Sequence, residues 1–164
     1  MPKTTPLHRA PALAALLFTA GLGQGFAVQA ADRYAVYESD SSFEDVVDGL
    51  TLAIQERGMY INNVMHMDEM LERTGKDLGM EQKLYGHAQS IEFCSAVLSR
   101  KMIAEDPTHI VQCPFIIAVY TLPDAADTTY VVHRAIPAAE REGSAVMGEV
   151  ADMLRDVANA AVSW

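Results

Sequence analysis

The segment Pro114-Phe-Ile-Ile-Ala-Val-Tyr-Thr-Leu122 is continuously apolar and rich in β-branched side chains. A short apolar run of this kind predicts a strand buried at the centre of a sheet. The turn-forming residues Pro123-Asp-Ala-Ala-Asp-Thr128 follow it, and residues 129–136 predict a second strand antiparallel to the first. After Pro137, apolar residues at helical spacing predict one long helix that runs to near Trp164.

Upstream of this hairpin, strands and helices alternate. Ser42, with Asp45 three residues later, resembles a capping box and predicts the start of a helix that stops at Gly58. Asp68 predicts the cap of a short second helix that ends at Gly75, and Ser95 caps a third helix. The other predicted elements are strands over residues 33–38, 59–67 and 88–94, a second helix over 69–74, a loop over 76–86, and a third helix to about residue 105.

The predicted order of elements is β-α-β-α-β-α-β-β-α. Mixed elements with an antiparallel hairpin and a long C-terminal helix favour an α+β fold. We expect a two-layer sandwich with a mixed or antiparallel sheet. Residues 31–164 contain no internal repeat and no linker, so they are interpreted as a single domain that is large enough to bury a core.

The first thirty residues have the pattern of a cleaved signal peptide. A weakly basic start is followed by an apolar run over residues 10–23, which is too short to span a bilayer. Val28 and Ala30 place small side chains at the positions that signal peptidases require, so cleavage is predicted after Ala30. The predicted location is therefore the periplasm or the exterior of a bacterial cell.

The charge of the chain limits its partners. The formal net charge is −10, and removal of residues 1–30 takes away Lys3 and Arg9 but no acidic residue, which leaves −12. Binding to a phosphate backbone depends on lysine and arginine, so nucleic acid is not an expected partner. No later stretch is apolar enough to predict membrane insertion after the signal is removed.

Cys94 and Cys113 are the only two cysteines. In an oxidising compartment they can pair as a structural disulfide, but they can also pack as buried free thiols or serve in redox or ligand chemistry. Cys94 lies at a predicted strand-to-helix junction, where the positive end of the helix is expected to lower the pKa of the thiol. Cys94 is therefore the better candidate for a reactive cysteine.

The segment Met65-His66-Met67-Asp68-Glu69-Met70 concentrates imidazole, thioether and carboxylate ligands. His66, Met67 and Met70 are candidate cofactor ligands, because imidazole and thioether hold haem iron in cytochromes. His66 and Met65 are candidate metal ligands, because thioethers favour copper(I). On a strand, Met65 and Met67 face one side and His66 the other; if the strand ends at His66, then His66 and Met70 can converge. The alternative is that the methionines fill gaps in the core and the histidine is structural.

Two further stretches carry a family resemblance. Ile91-Glu-Phe-Cys-Ser-Ala-Val-Leu-Ser-Arg-Lys-Met102, then Asp106-Pro107 and Cys113-Pro-Phe-Ile-Ile-Ala-Val-Tyr120, resemble the central signature of the domain of unknown function 302 family. The segment Met70-Leu-Glu-Arg-Thr-Gly-Lys-Asp-Leu-Gly79 is similar to the one that precedes this signature in exported members. The resemblance covers roughly residues 34–136. It implies a small α+β fold and a tendency to form homodimers, but no agreed activity and no catalytic residue; some exported relatives occur in sulfur or electron-transfer contexts.

Three functions are consistent with these features. The first is an exported ligand-binding or redox accessory protein that holds haem b or copper near His66 and meets a redox partner of the bacterial envelope. The second is a cofactor-free homodimeric interaction module. The third is a thiol-dependent enzyme using Cys94, which is least favoured because no base–nucleophile pair is visible in the sequence.

Overall fold

The computed structural model describes residues 33–164, which form a five-stranded sheet and its helices. The strands are β1 (Tyr34–Ser39), β2 (Tyr60–His66), β3 (Ala88–Cys94), β4 (Phe115–Leu122) and β5 (Ala125–Arg134). The helices are α1 (Phe43–Glu56), α2 (Met67–Leu78), α3 (Ala96–Glu105), α4 (Ala138–Gly143) and α5 (Ala145–Val162), with a 3-10 helix over Pro107–Gln112.

The sheet has the order β1-β5-β4-β3-β2, and every neighbouring pair is antiparallel. This confirms the predicted α+β sandwich and decides between a mixed and an antiparallel sheet. It also confirms β4 as a central strand and β5 as its hairpin partner. The chain runs from one edge of the sheet to the other before it returns, so β1 pairs with β5 rather than with β2.

One face of the sheet carries the core. Alternate side chains of β3, β4 and β5 point to this face and pack with α1 and α5, as the alternation of a pleated strand requires. The largest fully buried side chains are Phe93, Leu50, Ile54, Ile91, Met102, Ile117, Met147, Val46, Val119, Val131, Val150 and Val157.

The first helix begins as the sequence predicts. The Ser42 hydroxyl accepts a hydrogen bond from the Asp45 backbone N–H at 3.1 Å and donates one to the Asp45 carboxylate at 2.8 Å. These contacts satisfy one of the free N–H groups at the start of α1. The helix then ends before Gly58, which has a φ of +67° and so adopts the left-handed conformation that suits glycine.

The second helix is longer than predicted. It continues past Gly75 to Leu78, and Gly79 closes it in the left-handed conformation. The Met80 N–H donates to the Gly75 carbonyl at 2.7 Å and the Gly79 N–H donates to the Lys76 carbonyl, which is the Schellman pattern. Gly75 does not stop the helix. The Met80 carbonyl oxygen lies close to the position that a Cβ on Gly75 would occupy, so the absence of a side chain allows this close approach.

The C-terminal helix is not continuous as predicted. Ser144 has extended backbone angles and separates α4 from α5. Its hydroxyl accepts a hydrogen bond from the Met147 N–H at 3.1 Å, which makes it the N-cap of α5. The hairpin also differs: β5 begins at Ala125, because Leu122 pairs with Ala125 across a register shift. Among the helices of residues 33–164, none is long and apolar enough to cross a membrane.

Candidate functional site

The two cysteines meet at one end of the central strands. Cys94 is the last residue of β3, and Cys113 lies just before β4, whose Phe115 pairs with Phe93. Their Sγ atoms are 2.7 Å apart, and both are free thiols that are partly exposed. The antiparallel register of β3 and β4 therefore brings into contact two sulfurs that are 19 positions apart in the chain.

The environment of Cys94 does not favour a thiolate. Burial, followed by the contact with Cys113, raises the pKa of the Cys94 thiol to about 11. The sequence-based expectation that the N-terminus of α3 lowers this pKa is therefore wrong, because desolvation of the charged sulfur outweighs the helix. Cys113 has a different neighbour: the Ser99 hydroxyl donates to its Sγ at 3.4 Å.

The histidine–methionine segment lies where β2 ends and α2 begins. The strand ends at His66 and the helix starts at Met67, so His66 is the N-cap of α2 and precedes Met70 by four positions. The His66 side chain is exposed, and its Nδ1 is 3.4 Å from the Gln89 amide nitrogen. Met65 pairs with Ser90 and points to the opposite face of the sheet, away from His66.

No carboxylate or cysteine cluster completes a metal site at this position. Among residues 33–164, no group of three or more His, Cys, Asp or Glu side chains is placed to hold a metal ion. Any ion at His66 would therefore depend on the thioethers of Met67 and Met70, which are both half-buried.

A cleft of about 830 Å³ lies between α2 and the loop over residues 79–86. The sequence did not predict this cleft, because its pattern indicates only a capping role for Asp68. Asp68 Oδ1 is buried with no hydrogen-bond partner among the described residues, and its other oxygen is 3.9 Å from His87 Nδ1. The cleft wall mixes acidic and basic side chains with leucines, so its chemistry does not select one class of ligand.

The second face of the sheet contributes no side chain to the core cluster, although Ala88 on it is buried, and it is called the open face here. Register places one side chain of each strand in a middle row across it: Val36, Val132, Ala118, Ser90 and Met65. The rows on either side contain Glu38, Tyr130, Tyr120 and Ala88, and Tyr34, Arg134, Ile116, Glu92 and Asn63.

The open face is unusually apolar for a surface that meets water. Val36 and Ile116 are 52% and 48% exposed. The Tyr120 and Tyr130 rings stack with centroids 5.0 Å apart, and Tyr85 meets Tyr120 edge-on at 5.5 Å. The solvated face of a sheet is ordinarily polar, so this pattern makes the open face a candidate interaction surface. The sequence does show apolar residues at the alternate positions of β4 and β5 that form this face. It does not show which face of the sheet the helices cover.

Comparison with known proteins places this geometry in a family. A family model described as domain of unknown function DUF302 matches residues 35–161, from β1 through α5. The chain belongs to the DUF302 family. A crystal structure of an uncharacterized conserved DUF302 protein from Bacillus stearothermophilus has a TM-score of 0.58 and 13% sequence identity to it. The match covers 79% of this chain and 95% of that one, and at this identity it shows a shared fold. The chain matches no curated protein.

Membership of DUF302 confirms the resemblance drawn from the cysteine-containing signature. The cysteine pair, the histidine–methionine segment and all of the open face except Tyr34 lie inside the range that the family model matches. The predicted signal peptide lies outside it and outside the described residues. The DUF302 assignment gives the fold and carries no activity with it.

Proposed function

We propose that this DUF302 domain is an exported interaction module that forms a homodimer through the open face of its sheet. The observation that carries the proposal is the largely apolar middle row of the open face, which contributes no side chain to the core cluster. Burying exposed apolar area stabilises an association by roughly 25 cal/mol per Å². Val36, Ile116 and Val132 are the side chains that gain most directly from such burial.

The size and charge of the open face suit a second copy of the chain. Five strands about 4.8 Å apart, each contributing roughly 20 Å, give a face of about 500 Å². Stable interfaces bury about 800 Å² per partner, so this face with its rim is of the right order. Glu38 and Arg134 lie on the neighbouring strands β1 and β5, so a copy related by a two-fold axis can set opposite charges against each other.

The proposal is tested by measuring the molecular mass in solution at micromolar concentration. The sample is the protein in the form that the cell produces. Sedimentation should report a dimer for the wild type. Val132→Lys places a charge in the middle row and should weaken association at least tenfold, while circular dichroism stays unchanged. Val111→Lys is the matched control, because Val111 is 81% exposed in the 3-10 helix and lies outside the open face.

Two results would count against the proposal. A wild-type monomer at this concentration removes self-association. A dimer that survives Val132→Lys, in a folded variant, moves the contact away from the open face. Binding of a different protein to the wild-type monomer, lost in Val132→Lys, would identify a hetero-partner instead.

Copper(I) binding at His66 is a second candidate function. Its support is the position of His66 at the N-cap of α2, four residues before Met70, with the His66 imidazole exposed. Two ligands this close in the chain can share a copper(I) ion, whose preferred ligands include thioethers. Haem b is less well served, because His66 is exposed and a haem would need an enclosed, mostly apolar pocket.

A competition titration with a copper(I) chelator tests this candidate. The wild type should withdraw copper(I) from the chelator, and His66→Ala should lose most of that affinity. Met80→Leu is the control, because Met80 is exposed after α2 and lies outside the His66–Met70 turn. An absorption spectrum of protein made with haem available tests haem b in parallel; a Soret band that disappears in His66→Ala would favour haem over copper.

Export is part of the same proposal. It rests on the basic start, the short apolar run and the small residues before Ala30. Sequencing the N-terminus of protein recovered from the periplasm or medium should give Ala31 as the first residue. Recovery of uncleaved protein from the cytoplasm would reject both the predicted location and the predicted cleavage site.

A further inference from the structure

The cysteine pair stands at the base of a segment that the core holds weakly. Residues 95–112 comprise α3 and the 3-10 helix, and Met102 is the only described side chain among them that is fully enclosed. Val97 and Val111 are 66% and 81% exposed. A segment with little buried apolar contact opens at a lower free energy than the strands beside it.

The polar contacts of this segment are also weak anchors. Lys101 and Glu149 form an ion pair at 2.7 Å, but both side chains are about half exposed. His109 Nε2 lies 3.6 Å from the Glu140 carboxylate, and its Nδ1 is 3.1 Å from the Met102 carbonyl oxygen. Exposed ion pairs contribute about 0–1 kcal/mol, so the Lys101–Glu149 pair does not close the segment firmly.

We propose that Cys94 and Cys113 form an intrachain disulfide by exchange with a disulfide donor, and that this bond clamps residues 95–112 to the end of the sheet. The two sulfurs are already in contact, so bond formation requires no rearrangement of the strands. Both side chains are partly exposed, so a small donor can reach them. The inference does not depend on dimer formation or on copper.

The exchange proceeds in two balanced steps. Cys113 gives its proton to solvent, its sulfur attacks the donor disulfide, and one donor thiolate leaves while a mixed disulfide remains on Cys113. Cys94 then gives its proton to that thiolate, and its sulfur displaces the second donor thiolate, which takes a proton from solvent. The protein loses two hydrogens and two electrons, and the donor is reduced to two thiols.

The geometry assigns the order of these steps. Cys113 accepts a hydrogen bond from the Ser99 hydroxyl at 3.4 Å, so a polar neighbour already lies against its sulfur. Burial holds the pKa of Cys94 well above its usual range, so Cys94 is a poor first attacker. It lies in contact with Cys113, however, and can resolve a mixed disulfide formed there.

The chemistry is tested with the reduced full chain and excess oxidised glutathione at neutral pH. Mass spectrometry after alkylation should show loss of both reactive thiols, loss of two hydrogens and a Cys94–Cys113 cross-linked peptide. Cys94→Ser should instead accumulate a glutathione adduct on Cys113, and Cys113→Ser should form its adduct more slowly. Two alkylatable thiols in the wild type after equilibration would overturn the proposal. Equal rates of adduct formation in Cys94→Ser and Cys113→Ser would overturn the assigned order.

The clamp is tested by hydrogen exchange on oxidised and reduced wild-type protein, which needs no variant. Backbone amides of residues 96–112 should exchange more slowly in the oxidised protein by about tenfold or more, with smaller changes in α5. If exchange slowed equally throughout residues 33–164, the bond would act only on global unfolding. If exchange did not change, the bond would affect neither global unfolding nor the local opening of residues 96–112. Either result would overturn the clamp while leaving the dimer proposal standing.

Discussion

Gly75→Ala gives opposite predictions from the sequence and from the structure. In a helix interior, alanine is more favourable than glycine by about 1 kcal/mol, so propensity alone predicts stabilisation. In α2, a Cβ on Gly75 would lie 2.5 Å from the Met80 carbonyl oxygen. This oxygen belongs to the backbone that closes the helix, so it cannot rotate away as a flexible side chain would.

The expected magnitude follows from these two effects. Overpacking of this kind costs about 1–3 kcal/mol, and a middle value exceeds the propensity gain. We therefore expect the free energy of unfolding to fall by about 1 kcal/mol in Gly75→Ala. Gly148→Ala is the matched control: Gly148 lies in α5, and its nearest atom, the Arg141 carbonyl oxygen, is at an ordinary 3.8 Å. That variant should gain about 1 kcal/mol.

Urea unfolding followed by circular dichroism measures both changes on one scale. The two midpoints should move in opposite directions with unchanged slopes, since neither substitution alters the exposed surface of the unfolded chain appreciably. A Gly75→Ala midpoint that rises as much as that of Gly148→Ala would refute the reasoning. It would mean that the Met80 carbonyl moves at little cost and that Gly75 has no packing role.

The remaining predictions concern a buried histidine, a buried thiol and a helix cap. Burial lowers the pKa of His133 below its usual value, so the unfolded chain binds this proton more readily than the folded chain does. The free energy of unfolding should therefore be greatest above pH of about 6.5 and fall below it. Urea unfolding at several pH values should show a weaker pH dependence in His133→Gln. The alkylation rate of Cys94 in reduced protein, mapped by peptide mass, should still rise above pH of about 10, where an ordinary thiol has levelled off. Ser144→Ala should lower the free energy of unfolding by about 1 kcal/mol, because the Met147 N–H loses its acceptor; an unchanged urea midpoint would contradict this.

Local signals predicted most elements of the fold. The apolar, β-branched run of β4 could be recognised alone, and the start of α1 followed from Ser42 and Asp45. The errors in α2 and in the C-terminal helix share one cause. The packing of Gly75 against the Met80 carbonyl and the extended backbone of Ser144 depend on three-dimensional neighbours that residue type does not specify.

The candidate site was predicted less completely. The sequence singled out both cysteines, but it could not place their sulfurs in contact, because that requires the register of β3 against β4. It predicted a lowered pKa for Cys94 from the neighbouring helix, whereas the burial that raises this pKa exists only in the folded chain. The strand predicted over residues 129–136 already sets His133 on the face opposite Tyr130 and Val132, since alternation along a strand is local.

By itself, the sequence determined the strand at residues 114–122, the first helix, the family signature and the pattern of an exported precursor, since each is written in residues close together in the chain. Only the tertiary structure decided the sheet order, the contact of the two sulfurs and the existence of an open apolar face. The pairing of Tyr34 with Arg134 illustrates why. Strand pairing joins residues far apart in sequence, and which face of a strand is buried depends on where the helices pack after the sheet has formed.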